Sequence, residues 1–170
     1  MTTCPQHDEY VLIGIDPGAT TGVFVYFEDG VIDACQYPRE EITAHTADAL
    51  QRWAQWRGPH NVHIAIEKYI ITPNTAKLSQ QTDALEVTGM VKGLAQLNHI
   101  TDVRQYAKAN LKFANDRMLD GVRWRKPNLK HSWDAARQTF ALLKDVDPPV
   151  WSKMIADAKL ASEDEGRKTP

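Results

Sequence analysis

The sequence predicts an α/β domain: a five-stranded mixed sheet, its first three strands antiparallel, flanked by helices. Three observations predict it. Apolar runs at residues 10–15, 23–27 and 31–35 are separated only by turn residues. A fourth run, 61–67, follows a helical stretch, which favours a strand parallel to the first. Residues 128–144 then carry Leu129, Trp133, Ala136, Phe140 and Leu143 at the spacing of one helix face.

Taken in order, residues 1–9 are polar and read as a flexible N-terminus. Residues 10–15 form a continuous apolar run ending in Asp16, the pattern of a central strand. In Asp16-Pro17-Gly18, Pro presets φ and Gly tolerates a positive φ, so the chain turns there. Asp29-Gly30 is a strong hairpin signal between the second and third strands. Residues 40–56 have helical composition, with Ile42, Leu50 and Trp53 for a buried face and Gly58-Pro59 as a stop. In 61–67, Val62, Ile64 and Ile66 share one side and Glu67 closes the strand.

Residues 68–74 read as a loop and 75–97 as a long helix apolar on two sides. Ala84, Val87, Val91 and Leu94 mark one face; Leu78, Leu85, Gly89 and Gly93 lie towards another, which suits a core plus a partner. Residues 100–103 read as the fifth strand, 108–118 as a basic helix, and 119–127 as a basic loop. After Asp147-Pro148-Pro149 a terminal helix covers about 150–160, and 161–170 reads as a disordered tail. There is no internal repeat and no interdomain linker, so 10–160 is one domain.

Composition narrows the function classes. At 170 residues the chain can bury a core without staples, and 42% apolar with 25% charged residues is ordinary for a globular protein. No apolar run is long enough to span a bilayer, and no signal pattern opens the chain, so no membrane partner is expected. Cys4 and Cys35 are too few for a disulfide framework and read as reduced thiols. The net charge of −2 hides an asymmetry. Between Arg104 and Lys130, eight basic residues (Arg104, Lys108, Lys112, Arg117, Arg123, Arg125, Lys126, Lys130) face only Asp116 and Asp120. That is a net +6 in one stretch and −8 in the remainder. A basic strip of this kind suits a phosphate backbone, although a solvated surface explains most charge runs.

The chemistry-bearing residues sit at strand ends and on one helix. Asp16 and Glu67 each end a buried strand, and His131 and Asp134 stand three apart on adjacent turns of a helix. Crowded carboxylates repel, and a divalent cation among them is the usual remedy. Blander readings exist for each: a turn residue for Asp16, a solvated strand end for Glu67, and a polar helix face for His131 and Asp134. Two readings also fit Tyr69 and Trp124, which can stack on unpaired bases or pack against neighbours. Lys68 reads as a surface lysine.

Gly14-Ile15-Asp16-Pro17-Gly18 with Thr21-Gly22, Ala65-Ile66-Glu67, and His131-Ser132-Trp133-Asp134-Ala135 together resemble the RuvC family of Holliday-junction resolvases. That family belongs to the ribonuclease H-like superfamily. Its first strand reads G-I-D-P-G followed by T-G, a Glu closes its fourth strand, and a C-terminal helix carries D/H-x-x-D-A. The match keeps the order of the three motifs and covers 10 to about 143. It implies a ribonuclease H-like nuclease domain that cuts branched DNA, four-way junctions above all, as a homodimer. By the same resemblance Asp16, Glu67, His131 and Asp134 are catalytic metal ligands for Mg²⁺ or Mn²⁺, two ions per site. The helix from Thr75 matches the family's dimer helix, with Leu78, Leu85 and Gly89 facing the partner. Lys108 and Arg117 fall near the family's phosphate-contacting residues, and Tyr69 or Ile70 at its aromatic wedge. Lys112, Arg123, Arg125, Lys126 and Lys130 complete the DNA-contacting strip.

The sequence departs from the family at 110–117, which lacks the family's glycines, and at the basic 119–128 loop. In this it resembles resolvases encoded by bacteriophages, for which forks and flaps are additional substrates, and which act in the cytoplasm of a bacterial or phage-infected cell. Two Mg²⁺ ions roughly 3.5–4 Å apart would clamp the attacking and leaving oxygens of an in-line displacement. Asp16, on the central strand, is the expected bridging ligand. His131 is compatible with Mn²⁺, or with placing the attacking water or moving a proton near neutral pH. Two rivals stand beside the nuclease. One is a junction-binding protein without turnover. The other is an actin- or sugar-kinase-like ATP-binding domain, since D-P-G-x-T-T-G also resembles that phosphate turn. The chain is short for the two domains that rival needs, and no nucleotide cofactor is expected.

Overall fold

The computed structural model describes residues 10–28, 30, 32–69, 80–124 and 128–167. Its elements run β1 (Val11–Asp16), β2 (Thr20–Phe27), β3 (Ile32–Pro38), α1 (Arg39–Arg57), β4 (Val62–Glu67) and α2 (Gln80–Leu97). They continue with β5 (Asp102–Tyr106), α3 (Asp116–Gly121), α4 (Lys130–Val146) and α5 (Pro148–Arg167). The expected flexible N-terminus and the start of the long helix at Thr75 lie outside the described residues.

The sheet order is β3-β2-β1-β4-β5. The β1–β2 and β2–β3 pairs are antiparallel and β1–β4 is parallel, as the sequence predicts, and β4–β5 is parallel as well. Gly30, at φ 85°, takes the left-handed turn of the β2–β3 hairpin.

Strand parity sorts the core into two layers. Val11, Ile13 and Ile15 of β1, with Val62, Ile64 and Ile66 of β4, pack against Ile42 and Leu50 of α1 and Val87, Val91 and Ala95 of α2. The alternate residues Leu12 and Ala65 face Ala135, Ala136, Phe140 and Leu143 of α4. Asp16 and Glu67 continue this second register, so alternation alone sends both carboxylates to the α4 side. Helix α4 is buried more broadly than a single stripe: Ser132, Ala135, Gln138, Thr139 and Leu142 are buried as well.

Strands β2 and β3 run longer than the sequence reading, from Thr20 and to Pro38, and three further boundaries differ from it. The fifth strand starts at Asp102, because Ile100 is spent closing α2. Its N–H reaches the Ala95 carbonyl at 2.9 Å, His99 donates to Gln96 at 3.0 Å, and His99 takes φ 58°. That is the double-bonded left-handed helix stop, here without glycine. The expected basic helix at 108–118 is instead a 3₁₀ turn (Lys108–Leu111) followed by α3. The break falls at Asn115, whose side chain accepts from the Met118 N–H at 3.0 Å and so starts a new helix. Finally, α5 continues to Arg167 rather than ending near residue 160 in a disordered tail. Among the described residues no helix is long and apolar enough to cross a membrane.

Candidate active site

The cleft at the C-terminal ends of β1 and β4 is set by how closely α4 approaches the sheet. A Cβ at Gly14 would overlap the Ala135 carbonyl oxygen and the Thr139 hydroxyl. One at Gly22 would overlap the His131 carbonyl. The two glycines flanking Asp16 therefore admit the helix backbone itself. Thr139 Oγ1 donates to Ala135 O at 3.1 Å within that contact. With the first turn of α4 seated on β2, His131 and Asp134 are held over the end of β1.

Asp16, Glu67, His131 and Asp134 line one cleft, together with Pro17, Gly18, Tyr69, Ala84, Lys108 and Lys130. Tyr69 is half-buried in its wall. The His131 Nδ1 lies 3.2 Å from Asp16 Oδ2, and the Asp16 side chain is only 13% exposed. Burial, a hydrogen bond shared with Glu67, and the charges of Asp134 and Glu67 push the Asp16 carboxyl up to about 8. Lys108 works in the opposite direction. Asp134 is turned to Arg137, whose Nη1 pairs with its Oδ1.

The donor set, three carboxylates and an imidazole with Asp16 buried among them, fits a hard divalent cation, whose charge would offset the burial and repulsion that raise the Asp16 carboxyl. Among the described residues, however, no three such donors already stand in a ligating cluster. Asp134 Oδ1 is held by Arg137 instead.

The basic residues divide. Lys108 and Lys130 rim the cleft, and Lys112 and Arg117 line an adjoining pocket that shares Lys108 and ends on Arg137. Arg123 lies apart from them, beside Tyr26, Glu28 and Gly30 at the other end of β2. Arg125, Lys126, Ile70 and Leu78 fall outside the described residues. Leu85 is 43% exposed and Gly89 faces open space on the outer side of α2.

Trp124 does not stack on bases. It is buried against Phe24, Tyr26 and Phe140, with centroids 4.9, 5.0 and 5.5 Å away. Arg123, at φ 60°, closes α3 by the same left-handed stop seen after α2, and the Trp124 N–H bonds Leu119 O at 2.8 Å. That turn drives the indole inward. Arg137 was not singled out from sequence. The available signal was an arginine three residues after Asp134, one turn along the same face.

No protein-family model matches the sequence, and no curated protein matches it. Among solved structures the chain is similar to RuvC of Thermus thermophilus. The structure of T. thermophilus RuvC in complex with a Holliday junction substrate aligns at TM-score 0.54 and 16% identity. That alignment covers 81% of this chain and 96% of that one. A second Thermus thermophilus RuvC structure gives 0.52 and 16%, covering 79% and 95%. The likeness is one of fold: this chain has the mixed-sheet, ribonuclease H-like architecture of those structures.

Proposed function

We propose that the protein is a divalent-cation-dependent endonuclease that recognises branched DNA and cuts four-way junctions as a homodimer. One observation carries this reading. Four acidic or imidazole side chains, drawn from three distant segments, line a single cleft whose rim carries Lys108 and Lys130. The similar fold of a RuvC bound to a Holliday junction supports the substrate class. The glycine-free 110–117 segment supports a bacteriophage-type member.

Asp16, Glu67, Asp134 and His131 are the residues that would hold Mg²⁺ or Mn²⁺, which supplies charge relief at the scissile phosphate and an activated water. The chain's own contribution is positional. Lys108 and Lys130 attract the phosphodiester towards the carboxylates. Burial of Asp16 keeps bulk water from screening the cleft. As the alternative to ligating the cation, His131, close to Asp16 yet 44% exposed on its own side chain, is placed to move a proton between the cleft and solvent.

A labelled four-way junction with Mg²⁺ or Mn²⁺ tests the reading. The wild type should nick it, and Asp16→Asn should bind it with cutting reduced by at least about 10²-fold, the scale of losing a principal electrostatic contact in catalysis. Normal cutting by Asp16→Asn contradicts the assignment. A second reading, a junction-binding protein without turnover, is favoured by the Asp134–Arg137 pair, and wild-type binding without nicking would select it. The ATP-binding alternative loses support: the Thr21 hydroxyl donates back to Gly18 O at 3.1 Å, and α4 covers Gly22.

A further inference from the structure

Arg137 connects two pockets that the proposed reaction needs at the same time. One guanidinium nitrogen pairs with Asp134 in the acidic cleft, and another pairs with Asp116 at the start of α3. Its Nε donates to the Ala114 carbonyl at 3.1 Å. All three anchors are used, so the planar fork is fixed in direction. Its outer face also lines the pocket formed by Lys108, Lys112, Asn115 and Arg117. Asp116 is exposed, its side chain 54% accessible, whereas Arg137 is 24% accessible. The fork is therefore bound on one side to a carboxylate of the cleft and on the other to a carboxylate that solvent or a phosphate can reach.

We infer that Arg137 is a positioning residue that latches Asp134 and releases it when a backbone phosphate enters the Lys108–Lys112–Arg117 pocket. The inference rests on the nuclease reading above and adds to it an order of events. A backbone phosphate matches the guanidinium fork as well as a carboxylate does, and Lys108, Lys112 and Arg117 around the same pocket hold it there. Drawn towards that phosphate, Arg137 gives up Asp134, and the carboxylate becomes available in the cleft. Without DNA, the latch holds Asp134 Oδ1 on Arg137 and away from a cation. The cleft thus completes its donor set only when DNA is seated beside it.

The test compares wild type, Arg137→Gln and Arg137→Lys in two measurements, neither of which is cleavage. The first is Mn²⁺ affinity of the DNA-free protein by calorimetry. Freeing Asp134 should tighten Mn²⁺ binding by about tenfold in Arg137→Gln, the size of one charge-assisted hydrogen bond. Arg137→Lys, whose ammonium reaches one carboxylate at a time, should fall between it and the wild type. The second is four-way-junction affinity in EDTA. It should weaken in Arg137→Gln, with a salt dependence shallower by about one phosphate contact.

An arginine that merely supports the fold would instead lower metal and junction affinity together with thermal stability. Mn²⁺ affinity that is unchanged or weaker in Arg137→Gln overturns the latch. If that variant does not fold, the same comparison on Arg137→Lys decides. A wild type that binds Mn²⁺ and junctions but never cuts sinks the nuclease reading and leaves the latch intact. A wild type that cuts, with unchanged Mn²⁺ affinity in the variants, does the reverse.

Discussion

Asp16 concentrates the electrostatic cost of the cleft in one carboxyl. It is buried, it shares a hydrogen bond with Glu67, and it faces Asp134, so its folded-state value rises from 3.8 to about 8. A carboxyl raised in this way favours the folded state at low pH and opposes it as pH climbs from 3.8 towards 8. Asp16→Asn should therefore raise the melting temperature of the cation-free protein at pH 8, with the gain vanishing near pH 4. Equal melting temperatures at pH 8 would mean that the cluster carries no such cost. At this scale the sequence was informative about identity but not about partners. Asp16, Glu67, His131 and Asp134 are visible as strand-end and helix residues. That Asp134 is paired with Arg137, and that Trp124 is core, depends on contacts no spacing rule encodes.

At the scale of elements, α4 is what assembles the cleft, and Gly14 and Gly22 are what let it in. Gly22→Ala pushes a methyl into the His131 carbonyl, a backbone atom that cannot rotate away. Urea denaturation should show a loss of roughly 1–3 kcal/mol, the usual cost of overpacking, and cleavage should fall with it as His131 shifts. Unchanged stability would mean that α4 does not seat on β2. The strands were legible because alternation and the Asp29-Gly30 turn are local signals; parity even assigns Asp16 and Glu67 to the same face. The misplaced β5 and the broken basic helix share a cause. Left-handed stops at His99 and Arg123, and the Asn115 cap, use residues that advertise themselves less than glycine does.

For the whole molecule, the two faces of α2 have different fates. Ala84, Val87 and Val91 are buried in the core, while Leu85 and Leu97 stand 43% and 76% exposed beside Gly89 and Gly93. Small residues beside exposed leucines suit close helix packing between two copies. Leu85→Glu should convert a dimer into monomers in sedimentation velocity, and a persisting dimer would place the interface elsewhere. The asymmetric charge reads differently in three dimensions than along the chain. Lys108 and Lys130 gather at the cleft and Lys112 and Arg117 at the pocket beside it, while Arg123 is carried to the far end of the sheet by the turn that buries Trp124.

The nuclease function requires that the four side chains at the ends of β1, β4 and the first turn of α4 hold a cation. Crystals of the protein with a bound four-way junction, soaked in Mn²⁺, measure this directly through anomalous scattering. The predicted result is a peak coordinated by Asp16 and Glu67, with Asp134 or His131 completing the protein ligands. A peak elsewhere, or none in the cleft with DNA in place, would contradict the account.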